Sequence, residues 1–131
     1  MADTTIHALA LWAGLHSLLM LGLALNVTRH RFKSGTEGYD DRCLERAIRA
    51  HGNNIEYVPI ILLGVALLAF LGVSSVWVHS LCAVLLLARC LHAYGIQQEA
   101  PLPASRVAGN LGTWSVMLIT ALALVYLSAV A

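Results

Sequence analysis

The chain has 131 residues, 59% of them hydrophobic and only 11% charged, with a net charge of +1 at pH 7. That charged fraction is about half of what a soluble domain carries, so the composition excludes an ordinary water-soluble globule. The length fits one domain over residues 1–131, and no nucleic-acid partner is expected.

Four apolar segments follow in order, at about 6–27, 57–71, 73–91 and 107–130. Three of them approach or exceed the roughly 20 residues that cross a roughly 30 Å hydrocarbon layer as helix. The runs are continuous and rich in Leu and Ala, unlike the alternating segments of about ten residues in a membrane barrel. The expectation is an all-α integral membrane four-helix bundle. Asp3 and the lack of an early positive side chain argue against a cleaved leader.

The first loop holds Arg29, Arg31, Lys33 and Arg42, and Arg89 and Arg106 bound the third. The link around Gly72 and both termini carry no Lys or Arg. By the positive-inside rule, loops 1 and 3 face the cytoplasm and both termini the opposite side.

Segment 2 extends upstream of its apolar run. From Asp41 to Leu71 nothing stops a helix, giving 31 residues, or about 46 Å. Its apolar part alone spans about 22 Å, so the turns bearing Arg49, Asn53 and Glu56 lie near or inside the hydrocarbon edge. Arg42, Arg46, Arg49, Asn53 and Glu56 step by four, three, four and three and share one helical face. Charge at that depth needs a partner or water. Either a polar ligand meets the guanidinium, amide and carboxylate together, or the face closes on itself, Arg49 pairing with Glu56 or with a neighbouring subunit. Pro59 removes a backbone hydrogen bond just past the cluster and favours a kink that widens the groove.

Other helices add polar groups at the same end. Arg29 closes helix 1; Arg89, His92 and Tyr94 end helix 3; Arg106 opens helix 4 after the Pro101-Leu102-Pro103 turn, where free amide groups favour an anion. Arg29 and Arg89 read either as ligand contacts or as interfacial arginines that snorkel to water. His16 and His79 stand alone in apolar surroundings and read as packed residues. Cys43, Cys82 and Cys90 have no metal-ligand spacing and read as free thiols, and no metal site is indicated.

The run Arg49-Ala50-His51-Gly52-Asn53-Asn54-Ile55-Glu56-Tyr57-Val58-Pro59 resembles the signature of the membrane-associated proteins in eicosanoid and glutathione metabolism. Within that superfamily it is most similar to the short bacterial inner-membrane members, and the likeness covers essentially the whole chain. The resemblance implies a homotrimer in the inner membrane, with glutathione as cosubstrate between subunits near the cytoplasmic side. It implies glutathione contacts at Arg49, His51, Asn53, Glu56 and Tyr57, with Arg29 from helix 1 and Arg106 as the residue stabilising the thiolate; Arg89, His92 and Tyr94 are further binding candidates from their place at the same end of the bundle. Helix 3 departs from the pattern: His92 and Ile96 stand where two tyrosines are expected, and Tyr94 falls on a different face.

A free thiol with a pKa near 8.5 is only a few per cent thiolate at neutral pH, and a neighbouring guanidinium raises that share. The thiolate would attack a hydrophobic electrophile arriving through the membrane lipid. The readings are therefore a glutathione-dependent transferase or peroxidase acting on hydrophobic small molecules, a non-catalytic glutathione- or lipid-binding membrane protein, or a small transporter. No internal repeat supports the last.

Overall fold

A computed structural model describes residues 2–100 and 102–130; Pro101 and the side chains of Ala2 and Asp3 lie outside that description. Four helices follow in order, α1 (Ala2–Lys33), α2 (Arg42–Phe70), α3 (Ser75–Gln97) and α4 (Ala104–Val130), with no strand among the described residues. Each is long and apolar enough to cross a membrane. The chain is thus an all-helical, multi-pass membrane protein.

α1 runs six residues past its expected end at Val27, through Arg29 and Arg31 to Lys33. Hydropathy falls at Thr28, yet nothing breaks the backbone until Gly35, whose φ of 81° turns the chain away. His30, Arg31 and Lys33 in the last turn complement the negative helix end. α2 has 29 residues, about 44 Å, and passes through Pro59 without interruption. Its far end is closed by Gly72 at φ 86°. There Val73 N–H donates to Leu68 O and Gly72 N–H to Ala69 O, both at 3.1 Å, which satisfies carbonyls the helix leaves over.

α2 and α3 are the most buried helices. α1 packs on both and α4 packs on both, whereas among the described residues the α1 and α4 backbones make no close approach. The main core gathers Ala8, Ile61, Val65, Leu68, Val78, Leu81, Leu85 and Val116 from all four helices. His16 lies in this region, with Nε2 3.3 Å from Cys82 O, and Trp12 Nε1 donates to His79 Nδ1 at 2.9 Å. Both isolated histidines tie α1 to α3, but only His16 is packed as expected; His79 is exposed. Cys43, Cys82 and Cys90 are free thiols.

At the opposite, charged end the core shrinks to Ala50, Ala93 and Ile96. Small side chains there leave room for long polar ones. α3 and α4 also come unusually close. A methyl group built on Gly109 would lie 2.6 Å from Ala88 O and His92 N, and one on Gly112 would lie 2.9 Å from Ala88 Cβ. Small residues at these contacts are what let the two backbones approach.

Candidate functional site

The start of α2, the end of α3 and the start of α4 meet around a cavity of about 470 Å³. Arg42, Arg46 and Arg49 line it from α2, one turn apart, as their spacing predicts. Arg106 enters from the first turn of α4, Ile96 from α3, and Gln98 and Glu99 from the connector. Four guanidinium groups face two carboxylates, Glu45 and Glu99, so the cavity favours an anionic guest.

Arg106 is held by its own backbone. Its N–H donates to Pro103 O at 3.0 Å, and the carbonyl of Arg106 lies 3.4 Å from His92 Nδ1. Gly95 supplies the third constraint: a methyl group there would meet the Arg106 Cα and Cβ at 2.7 Å. Any larger residue at 95 would displace the start of α4, so the glycine is what lets Arg106 stand at the cavity wall.

Beneath the cavity lies a buried polar layer. Arg89 is 1% exposed, so its guanidinium does not snorkel. Instead Nη2 donates to Asn53 Oδ1 at 2.7 Å, Nε to Asn54 Oδ1 at 3.3 Å, and Nη1 to Thr113 Oγ1 at 3.3 Å. Thr113 in turn donates to Gly109 O at 2.8 Å. Helices α2, α3 and α4 are thereby linked by one side chain. Burial of a charge at this depth is tolerated because hydrogen bonds occupy it on three sides.

Of the residues expected to form the site, Arg49 and Arg106 share the cavity, and His92 is buried against the Arg106 backbone. Asn53 is half-buried over Arg89, and Tyr57 is half-buried against the main core. His51 is half-buried, with a shielded Nδ1 that has no hydrogen-bond partner among the described residues. Arg49 and Glu56 are exposed and do not pair with each other; among the described residues the ion pair is Arg42 with Asp40, at 3.0 Å. Arg29 is exposed at the end of α1. Tyr94 is 64% exposed and stands outside the cavity, whose α3 wall is Ile96. Among the described residues no three His, Cys, Asp or Glu side chains converge as a metal site.

Sequence reasoning missed Asn54, Thr113 and Gly95. The doubled Asn53-Asn54 is a usable signal, since two amides next to an apolar run at membrane depth require two partners. Thr113, seven residues beyond Arg106, lies on the same face of α4, two turns deeper. Gly95 carries no signal without knowledge of how α3 and α4 cross.

The loop between α1 and α2 is ordered by side chains. Ser34 Oγ donates to Asp41 Oδ1 at 2.6 Å, and His30 Nδ1 lies 2.7 Å from the Tyr39 hydroxyl. Arg42 donates to Asp40 through both its side chain and its backbone N–H, which holds the Asp40 carboxyl below the usual carboxylate range.

The MAPEG family profile matches residues 9–126. The inner membrane protein YecN of Escherichia coli strain K12 is 34% identical to the chain over 119 residues, covering 87% of each. Its namesake in Escherichia coli O6:H1 matches with the same identity and coverage. No solved structure shows a significant match.

Proposed function

Because the chain belongs to the MAPEG family, we propose that it is a glutathione-dependent transferase or peroxidase acting on hydrophobic electrophiles in the inner membrane. Glutathione binds at the charged end, which faces the cytoplasm, with both chain termini in the periplasm. The observation that carries this reading is the meeting of Arg49 and Arg106 at one cavity, with Arg106 fixed by Gly95 and His92.

The tripeptide is an anion with two carboxylates and one ammonium. Arg42, Arg46 and Arg49 suit the carboxylates, and Glu56 suits an N–H donor. Arg106 stands where its fixed charge favours ionisation of the thiol. An arginine accepts no proton, so the thiol proton leaves to water in the open cavity and the sulfur keeps the electron pair. The thiolate then bonds to the electrophilic atom of a hydrophobic substrate, whose leaving group or peroxide oxygen departs with the displaced pair.

A homotrimer completes the site. Arg49 and Glu56 are exposed on the single chain; at the membrane depth proposed for them lipid would meet them, and a second copy of the chain can cover them. Arg29, exposed at the end of α1, is available to a neighbouring subunit's site.

A second reading, a glutathione- or lipid-binding protein without efficient chemistry, is favoured by α3. Ile96 occupies the cavity wall where a hydroxyl is expected, and Tyr94 stands outside the cavity. Thiolate absorbance separates the two. Glutathione added to the detergent-purified protein at pH 7 should raise the ultraviolet thiolate signal, and Arg106→Ala should abolish it. Binding without that signal leaves the non-catalytic reading. Unchanged glutathione affinity in both Arg49→Ala and Glu56→Ala would remove the site assignment itself.

A further inference from the structure

Arg89 is buried, carries only donors, and spends three of them on oxygens of the protein itself. A guanidinium so engaged has little left to offer a ligand. Its shortest bond goes to Asn53, which stands on the α2 face between Arg49 and Glu56. Because Arg89 has no acceptor, the amide atom turned inward has to be Oδ1, and the Nδ2 group with its two donors is left for the α2 face that carries Arg49 and Glu56, the groove of the proposed ligand.

We propose that Arg89 is a positioning residue: it locks the Asn53 amide with its NH2 group toward the ligand, so that the ligand must present a carbonyl or carboxylate oxygen at that point. An unlocked amide can turn either edge to the groove. Locked, it rejects a donor and accepts only an oxygen, while Glu56 one turn deeper accepts only a donor. The face of α2 thus has a fixed polarity, and Thr113 on α4 shares in setting it by holding the opposite side of the same guanidinium.

This inference rests on the glutathione reading, and a double-mutant cycle tests the two separately. Glutathione affinity is measured by calorimetry on the full chain in detergent for the wild type, Arg89→Met, Asn53→Ala and the double variant. Arg89→Met should weaken binding at least fivefold in the wild-type background and less than twofold once Asn53 is already alanine. An equal loss in both backgrounds means that Arg89 acts on the ligand directly or through the fold, and overturns the inference. No loss at all in Arg89→Met overturns it equally. Should Arg89→Met fail to fold, the cycle is run with Thr113→Val, which removes one Arg89 partner outside the groove and keeps the side-chain shape. A loss of threefold or more that disappears with Asn53→Ala is then expected, and any other result overturns the proposal. Wild-type protein that does not bind glutathione refutes the parent reading and this inference with it, whereas tight binding with an uncoupled cycle refutes this inference alone.

Discussion

Replacing Gly95 by alanine tests whether close helix contact, rather than side-chain chemistry alone, places Arg106. The added methyl carbon would stand 2.7 Å from both Cα and Cβ of Arg106, against about 3.5 Å for an ordinary carbon contact. The start of α4 must therefore retreat by about 0.8 Å, and overpacking of this kind costs about 1–3 kcal/mol. The corresponding expectation is an upward move of the glutathione thiol titration by about one pKa unit, or about 1.4 kcal/mol of lost preference for the thiolate. The assay is a pH titration of thiolate absorbance on the detergent-solubilised protein, paired with a thermal melt. Gly22→Ala is the control, because nothing lies within 4 Å of a methyl group built there. If Gly95→Ala titrates and melts like Gly22→Ala, the α3–α4 contact does not set the position of Arg106 and the argument fails.

Gly109→Ala should destabilise the α3–α4 pair by about 1–3 kcal/mol, because the methyl group meets backbone atoms of Ala88 and His92 that cannot swing aside. Gly64→Ala, which meets the Thr120 side chain instead, should cost less, and melting of both variants ranks them. The depressed pKa of Asp40 gives loop 1 a contribution that is present above the ordinary value of 3.8 and lost as pH falls below it through the folded value. A pH titration of the Asp40 carboxyl by NMR should show the midpoint return to the ordinary value in Arg42→Ala. Cys43, partly exposed beside loop 1, should react with a membrane-impermeant maleimide only from the cytoplasmic side, whereas buried Cys82 should react only after unfolding. Labelling of Cys43 from the periplasm would invert the proposed topology.

Helix existence, the shared face of α2 and the gathering of charge at one end were legible because each follows from spacing along a single helix. The 29-residue α2 is within one residue at each end of the expected span. α1 outruns its apolar segment because hydropathy marks where lipid ends, whereas the helix ends just before Gly35 turns the backbone. Arg89 was the harder case. An arginine near the end of an apolar helix reads the same whether it reaches outward to water or inward to partners. Only the packing of α2 and α4 against α3 decides, and the decisive partners, Asn54 and Thr113, lie 35 and 24 residues away.

The polar residues of α2 accordingly form two layers that differ in what satisfies them. Asn54 faces inward and is bound to Arg89, and Asn53 lies at the boundary with its oxygen held from inside. Arg49 and Glu56 lie outside that boundary, exposed and unpaired with each other. The inner layer is completed by the chain's own helices; the outer one is not. Filling the inner layer with apolar residues would remove a buried charge at little or no cost to stability, since a buried polar network often does no better than a well-packed apolar one. Its presence is therefore better explained by what it does for the outer layer. A charged face presented to a ligand at membrane depth has to be rigid and of fixed polarity, and an arginine anchored on three helices gives it both.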